Sequence, residues 1–521
     1  MRDSVSITQI ADIPRVQAAV RGDHAAIQFE GRVTTFSALD AQSDQVAAAL
    51  TAAGVGQGSR VSVLTRNHDS WYQVMFGAAK AGACVAPINA RLAPPEIAYI
   101  LEDSEPAVLF VGAEFLALGA DIAGRMSLRP MLVALTGDHP AFVGFEAWRD
   151  GAQGGIDLAP PIDDDDLLQL YTSGTTGRPK GVVLSNRNYT SFLRQISHVE
   201  GFSYRPGETV LMTMPLFHVA GTNVSFSALA QGSTIVLLAD FNPAAAIDLM
   251  VQDHIGHAFL APAMILMMLQ VPSVRDRTFP SLRTIAYGAA PIAEDVLARA
   301  QATFGCGFVQ FYGMTESAGA GTYLSPREHT MPGKLTSCGR PWPDLQVRVV
   351  DAEGNPCLDG VIGEIVSKGD LVMKGYWKQP KATAETVVDG WLHTGDAGLR
   401  DSDGFFYIHD RMKDMIVTGG ENVYPAEVEN AIHGCPGVAD VAVISVPSEK
   451  WGEEVRAIIV PVAGAAPTEQ EVIAWARERI AGFKAPKSVA FIDVMPRNAS
   501  GKILRRELRA PYWEGRERAV G

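Results

Sequence analysis

Tyr171–Gly181 reads YTSGTTGRPKG, with three threonines, one serine, three glycines and two cations in eleven residues. Apolar runs flank it, LLQL before and VVL after, so it is a loop between two strands. Successive backbone N–H groups in a glycine-rich loop form a nest for an anion, and hydroxyls with a lysine add donors. Thr172, Ser173, Gly174, Thr175, Thr176, Gly177 and Lys180 are therefore a candidate phosphate cradle. A Walker loop needs Gly-Lys-Ser/Thr in adjacent positions. Here Arg178 and Pro179 separate Gly177 from Lys180, which argues against a P-loop NTPase. A surface turn is the plain alternative, but it does not explain so many donors in so short a stretch.

Other short signals carry less. GVGQG at Gly54–Gly58 lies between a helix and a strand, the wrong order for a dinucleotide fingerprint, and reads as a helix-end turn. His254 and His257 have no acidic or cysteine partner in sequence and read as ordinary polar or core histidines. The run Asp163–Asp166 reads as a solvated entry to a strand, not a metal site.

The elements that must position the loop follow an α/β rhythm. SALDAQSDQVAAALTAAGV has helical spacing and stops at Gly54, RVSVL reads as a strand, and Asp69 is placed to cap SWYQVMFGAAKAG. CVAPI, a helix opened by Pro94 and Pro95, and AVLFVG continue the alternation, which returns in TVLMTMP, TIVLLA, AAAIDLMVQD, LRTIAYG and AEDVLARAQATFG. Such alternation predicts layered α/β structure with mostly parallel sheets over the first ~320 residues. Near residue 340 the texture changes to short strands joined by Gly, Asp and Asn turns, a β-barrel-like section. A compact α+β pattern follows. The expected division is 1–410, a large N-terminal domain, and 411–521, a small mobile C-terminal one.

Of the 521 residues, 47% are apolar and 20% charged, ordinary globular usage. The net charge of −14 argues against nucleic acid or an anionic membrane as the main partner. Five scattered cysteines without a CxxC speak against a disulfide framework or zinc site and suit a reducing compartment. The N-terminus lacks an apolar signal core, and AFLAPAMILMMLQV, at 14 residues and interrupted by Pro262, is too short to span a bilayer. A cytoplasmic protein without an integral membrane segment is expected, with a homodimer left open.

Six stretches occur in a fixed order: YTSGTTGRPKG, YGAAPI, YGMTES, HTGD, DRMKDMIVTGGENVYPAEVE and PRNASGKILRREL. This ordered set resembles the AMP-forming acyl-CoA synthetases of the adenylate-forming superfamily, and the resemblance runs from about residue 20 to residue 508. It implies two steps with ATP, Mg2+ and CoA. A carboxylate attacks the α-phosphorus of ATP to give acyl-AMP and pyrophosphate, and the CoA thiol then takes the acyl group and releases AMP.

By the same resemblance, the opening loop holds the β- and γ-phosphates. In QFYGMTES, Tyr312 is the adenine-stacking aromatic, Thr315 contacts the α-phosphate, and Glu316, with Thr172, is the metal ligand. Gly288, Ala289 and Ala290 line the nucleotide with backbone, as do Phe311, Gly313 and Met314. Asp396 grips the ribose hydroxyls, with Arg411 and Ile408 beside it. Lys502 is the catalytic lysine, bridging the incoming carboxylate and the α-phosphate. Lys413 is the hinge about which the small domain rotates for the thioester step, and Gly419 and Gly420 lie beside the pantetheine. His218 gates the carboxylate, and Gly221, Met264, Tyr287, Phe311 and Ala318 complete the acyl pocket.

Phe311 stands where many relatives have Gly, so it reshapes or narrows that pocket, while Ser317–Thr322 is all small and leaves room for a slot. Met264, Met267 and Met268 serve either as an adaptable wall or as core. The absence of Asp at the gate position disfavours an amino-acid substrate. The expected activity is an acid–CoA ligase for an apolar acid, a medium- or long-chain fatty acid. The alternatives are an aryl or alicyclic acid, an adenylating enzyme that loads a carrier protein, a luciferase-like oxidase, and a non-catalytic nucleotide-binding protein.

Overall fold

The computed structural model describes residues 6–152, 162–172, 179–290, 292–411, 414–418, 421–448, 450–498 and 502–514. Four sheets carry the architecture. The first has nine strands in the order Arg340–Pro341, Gly321–Leu324, Gly307–Gly313, Thr284–Gly288, His257–Leu260, Thr209–Met212, Thr234–Leu237, Ala25–Phe29 and Arg32–Thr35. Every pairing from Gly307–Gly313 through Ala25–Phe29 is parallel, as the helix–strand alternation predicts. The strands at both ends pair antiparallel, joined by turns and loops that contain no α-helical crossover.

The second sheet has eight strands, in the order Gly375–Tyr376, Lys180–Ser185, Asp166–Thr172, Cys84–Pro87, Arg60–Leu64, Val108–Val111, Met131–Ala134 and Val143–Gly144. It is parallel except at the end that carries Asp166–Thr172, Lys180–Ser185 and Gly375–Tyr376. The third sheet, from Gln346–Val350 to Phe406–Arg411, is five-stranded and antiparallel, the section expected to be barrel-like. The fourth belongs to the small C-terminal unit. Its Val438–Ser448 and Gly452–Pro461 strands form a long hairpin, with Ser488–Phe491 added in parallel.

Local chemistry sets the helix ends near these sheets. Thr35 caps Phe36–Ala52 by accepting from Ala38 N at 3.1 Å, and Gly54 ends that helix at φ 76°. Asp69 caps the buried Ser70–Lys80 helix through Ser70 N. A single large core joins the first two sheets and their helices, while Ile416, Val428, Val443, Ile459 and Val472 belong to a separate core in the small unit. The expected solvated acidic run is less exposed than its composition suggests. Asp165 is buried and accepts from Gln57, and Asp166 pairs with Arg60 and Lys374, because the strand entry lies against oppositely charged neighbours. His257 sits in the core, 3.0 Å from Glu208, a partner that sequence distance concealed.

Candidate active site

Three sheets meet at the end of the Gly307–Gly313 strand. Within the first, Phe311 is in register with Gly288 and Gln310 with Tyr287. Side chains alternate across a strand, so Gly288 and Phe311 share one face and Tyr287 and Gln310 the other. A Cβ at Gly288 would stand 2.5 Å from the Phe311 carbonyl oxygen, so only glycine lets the backbones approach this closely. Ala289 follows at φ 67° and turns the chain, leaving Ala289 and Ala290 at the strand's end.

Tyr312 is half-buried, and its hydroxyl donates to Asp396 Oδ2 at 2.7 Å. Burial, and then the charge of Asp396, raises the phenol well above its ordinary range, so it stays a neutral donor that fixes the ring as a flat platform. Asp396 is 4% exposed and lies on the Trp391–Arg400 strand of the third sheet. Arg411 is its partner on the neighbouring strand, and Ile408 is opposite Gly398.

After Gly313 and Met314 the chain makes a short turn at Thr315–Ser317. The turn is closed by Met314 N donating to the Ser317 hydroxyl, and the chain reverses at Ala318, φ 51°. Glu316 is 6% exposed, and its Oε1 accepts from the Tyr376 hydroxyl at 2.8 Å. Tyr376 lies on the edge of the second sheet, paired with Val182. Lys180 Nζ is 4.7 Å from the centre of the Tyr376 ring, and Lys180 pairs with Thr172 across the base of the loop. The loop's base and the buried acid thus meet around one tyrosine. Ser173, Gly174, Thr175, Thr176 and Gly177 lie outside the described residues, as do Lys413, Gly419 and Gly420.

No cluster of three or more His, Cys, Asp or Glu that could cage a metal occurs among the described residues. A single buried carboxylate near the base of a candidate phosphate loop suits Mg2+, which takes one or two carboxylates and completes its shell with phosphate oxygens and water. The donor set at Glu316 therefore fits that ion.

His218 caps the Val219–Ala230 helix, its Nδ1 accepting from Ala220 N at 3.2 Å, and burial lowers its pKa to about 4. It is a neutral imidazole at physiological pH. A Cβ at Gly221 would stand 2.2 Å from the Pro215 carbonyl oxygen, which presses the helix start onto the preceding turn. Asn223 donates to the Ala318 carbonyl at 2.8 Å, so His218, Gly221 and Ala318 are gathered at one helix end. Phe311 lies in an aromatic wall, with ring centres 5.0 Å from Phe202, 5.5 Å from Trp342 and 6.3 Å from Phe259. Tyr287 sits on the opposite face, 3.0 Å from His329 Nε2. Met264 and Met268 are buried and Met267 is 50% exposed, so the methionine run is split between core and surface.

Lys502 is partly buried, in a turn closed by Lys502 N donating to Asn498 Oδ1 and by Asn498 N donating to the Lys502 carbonyl. The Arg505–Trp513 helix follows, and Arg505 holds both oxygens of Glu429 at 2.8 and 2.6 Å. Sequence reasoning missed Tyr376 and Asn223. KGYW reads only as strand and turn, and no local spacing reveals that its tyrosine reaches Glu316.

Residues 14–377 match the family model of the AMP-binding enzymes, and residues 427–502 match the model of the AMP-binding enzyme C-terminal domain. The chain belongs to the AMP-binding enzyme family. It is 40% identical over 503 residues to ScoC of Streptomyces coeruleorubidus, a fatty acid–[acyl-carrier-protein] ligase, covering 95% of each chain. It is 39% identical to the feruloyl-CoA synthase of an Amycolatopsis species, covering 95% of this chain and 98% of the relative. The crystal structure of ATP-bound MatB from Rhodopseudomonas palustris superposes with a TM-score of 0.88 at 30% identity, covering 96% of this chain and 99% of that one. Among the described residues, no helix is long and apolar enough to cross a membrane.

Proposed function

We propose that the chain is an ATP-dependent acid–CoA ligase that forms an acyl-adenylate from an apolar carboxylic acid and passes the acyl group to CoA. The observation that carries this is the junction of three sheets, where Tyr312 is tied to Asp396 and Glu316 to the base of the phosphate loop. Charge builds on phosphate oxygens as the acid attacks, and preorganised donors and cations lower that barrier. Tyr312 is the platform for the base of the nucleotide, and Asp396 accepts from its ribose hydroxyls with Arg411 alongside. Thr315 and Lys180 hold phosphate oxygens. When bound at Glu316 and Thr172, Mg2+ neutralises part of the charge that develops there. Lys502 bridges the acid and the α-phosphate, two anions that otherwise repel. His218, held neutral, keeps the carboxylate's entry free of a competing cation.

The proposed domain division is 1–410 and 411–521, with Lys413 as hinge and Gly419 and Gly420 beside the pantetheine. Five free cysteines suit a reducing, cytoplasmic setting. The proposed acid is a medium- or long-chain fatty acid, and the likeness to a feruloyl-CoA synthase supports an aryl acid as the alternative. A second reading, loading of a carrier protein, is supported by the likeness to ScoC.

The test is pyrophosphate release with ATP and Mg2+ over fatty acids, benzoates, cinnamates and amino acids, with and without CoA. We expect turnover with one class of apolar acid and acyl-CoA only when CoA is present. Adenylation that leaves CoA untouched but acylates a carrier protein would establish the second reading. In Lys502→Ala, adenylation should fall ~100-fold or more with ATP still bound. A loss of less than about tenfold would remove that lysine from its role.

A further inference from the structure

The segment Met373–Trp377 ties two parts of the site together. Met373 N donates to the Glu316 carbonyl at 2.8 Å, while Lys374 N and Trp377 N donate to Val183 and Gly181 on the second loop strand. The backbone thus holds the acidic turn at a fixed distance from the base of the loop. Trp377 anchors the far end, its Nε1 donating to the Asp103 carbonyl at 2.9 Å and its ring lying 3.3 Å from the Arg60 guanidinium carbon. Gly375 has φ 153°, and a Cβ there would stand 2.8 Å from Thr383 Cγ2. Thr383 in turn accepts from Tyr376 N at 2.9 Å. Tyr376 is therefore gripped from both sides, and its side chain has little freedom.

From that position the side chain meets two opposite charges. Its hydroxyl donates to Glu316 Oε1, and its ring face carries the Lys180 ammonium. A donor on one carboxylate oxygen fixes the plane of the group and leaves the lone pairs of the other for a cation. Among the described residues, Glu316 Oε2 makes no hydrogen bond or ion pair. A cation over an aromatic face is held by a weak, non-directional attraction, which phosphate oxygens readily outcompete. One side chain thus contacts both charged groups, Glu316 at its hydroxyl and Lys180 over its ring.

We propose that Tyr376 is a positioning residue for adenylation: its hydroxyl aims Glu316 at the divalent cation, and its ring holds Lys180 at the mouth of the phosphate site. The inference rests on the reading of Glu316 as the metal carboxylate and of Lys180 as a phosphate contact. It separates two contributions that a plain structural tyrosine would not. The hydroxyl governs the metal, and the ring governs the nucleotide.

Three variants of the full chain test it: Tyr376→Phe, Tyr376→Leu and Glu316→Gln. The readout is Mn2+ affinity in the presence of a non-hydrolysable ATP analogue, from the electron paramagnetic resonance signal of free Mn2+. Analogue affinity at saturating Mn2+ is measured by calorimetry, and the half-saturating Mg2+ of pyrophosphate release is measured alongside. Tyr376→Phe should weaken Mn2+ binding ~3- to 10-fold, the scale of one ordinary net hydrogen bond, and raise half-saturating Mg2+ by the same factor. The KM for the acid should stay within about twofold. Tyr376→Leu should in addition weaken the analogue at saturating Mn2+. Unchanged Mn2+ affinity in Tyr376→Phe, with Glu316→Gln still weakened, would overturn the role of Tyr376 and leave the metal carboxylate standing. Unchanged Mn2+ affinity in Glu316→Gln would overturn both.

Discussion

His218 shows how burial sets a side chain's chemistry. Burial drops its pKa from 6.5 to about 4, so the folded protein holds a neutral ring. The unfolded chain takes up a proton near pH 6.5 and the folded one only near 4. The stability that His218 contributes is therefore whole above about pH 6.5 and is lost as the pH falls toward 4. His218→Asn retains an acceptor for Ala220 N but does not titrate. In urea melts at pH 7 and pH 5, we expect the wild type to lose more of its midpoint than the variant does. Equal losses would show that His218 is solvated in the folded state. Tyr312 is the opposite case, a group held neutral by burial beside a carboxylate so that it keeps donating to Asp396.

The Val219–Ala230 helix depends on contacts that need small residues. Its first turn lies on the Pro215 carbonyl, and Thr222 and Ser225 reach Tyr189 and Tyr72 from within the core. Gly221→Ala would force a methyl group to 2.2 Å from Pro215 O. Backbone cannot yield there as a flexible side chain would, so the helix start must shift. We expect a loss of ~1–3 kcal/mol, the usual scale of overpacking. The KM for the acid should also rise, because His218 and the Asn223–Ala318 contact move with the helix. Denaturant midpoints and steady-state kinetics check both parts. A stable variant with unaltered KM would place the acid pocket elsewhere.

Among the described residues, one large hydrophobic core joins the first two sheets and a separate one lies inside the small unit. Separate cores permit separate unfolding. In the small unit, Glu429 accepts from Val443 N and from Arg505, tying the Pro425–Ile432 helix and the long hairpin to the helix that follows Lys502. Arg505→Met would strand a buried carboxylate at a cost of roughly 2–3 kcal/mol. Calorimetry should show one transition moving down while the other stays. A uniform shift of a single transition would mean that the two cores unfold as one.

Much of this molecule was legible in its sequence. The rhythm of apolar runs and glycine stops gave the parallel layers, since both are local consequences of helix and strand periodicity. YTSGTTGRPKG could be read as a candidate anion site because a nest needs only neighbouring residues, though residues 173–178 lie outside the described ones. The antiparallel sheet ends, the split methionine run and the burial of Asp165 within an otherwise more exposed acidic run were not readable, because each depends on what a distant strand presents. So does the site itself. Tyr312 and Asp396 are 84 residues apart, and Tyr376 and Glu316 are 60 apart, yet each pair shares one hydrogen bond. The sequence by itself determined which chemical groups the chain owns and the elements that carry them, because composition and periodicity are local. Only the tertiary structure decided that a single tyrosine contacts both Lys180 and Glu316, because side-chain proximity is set by how whole sheets meet.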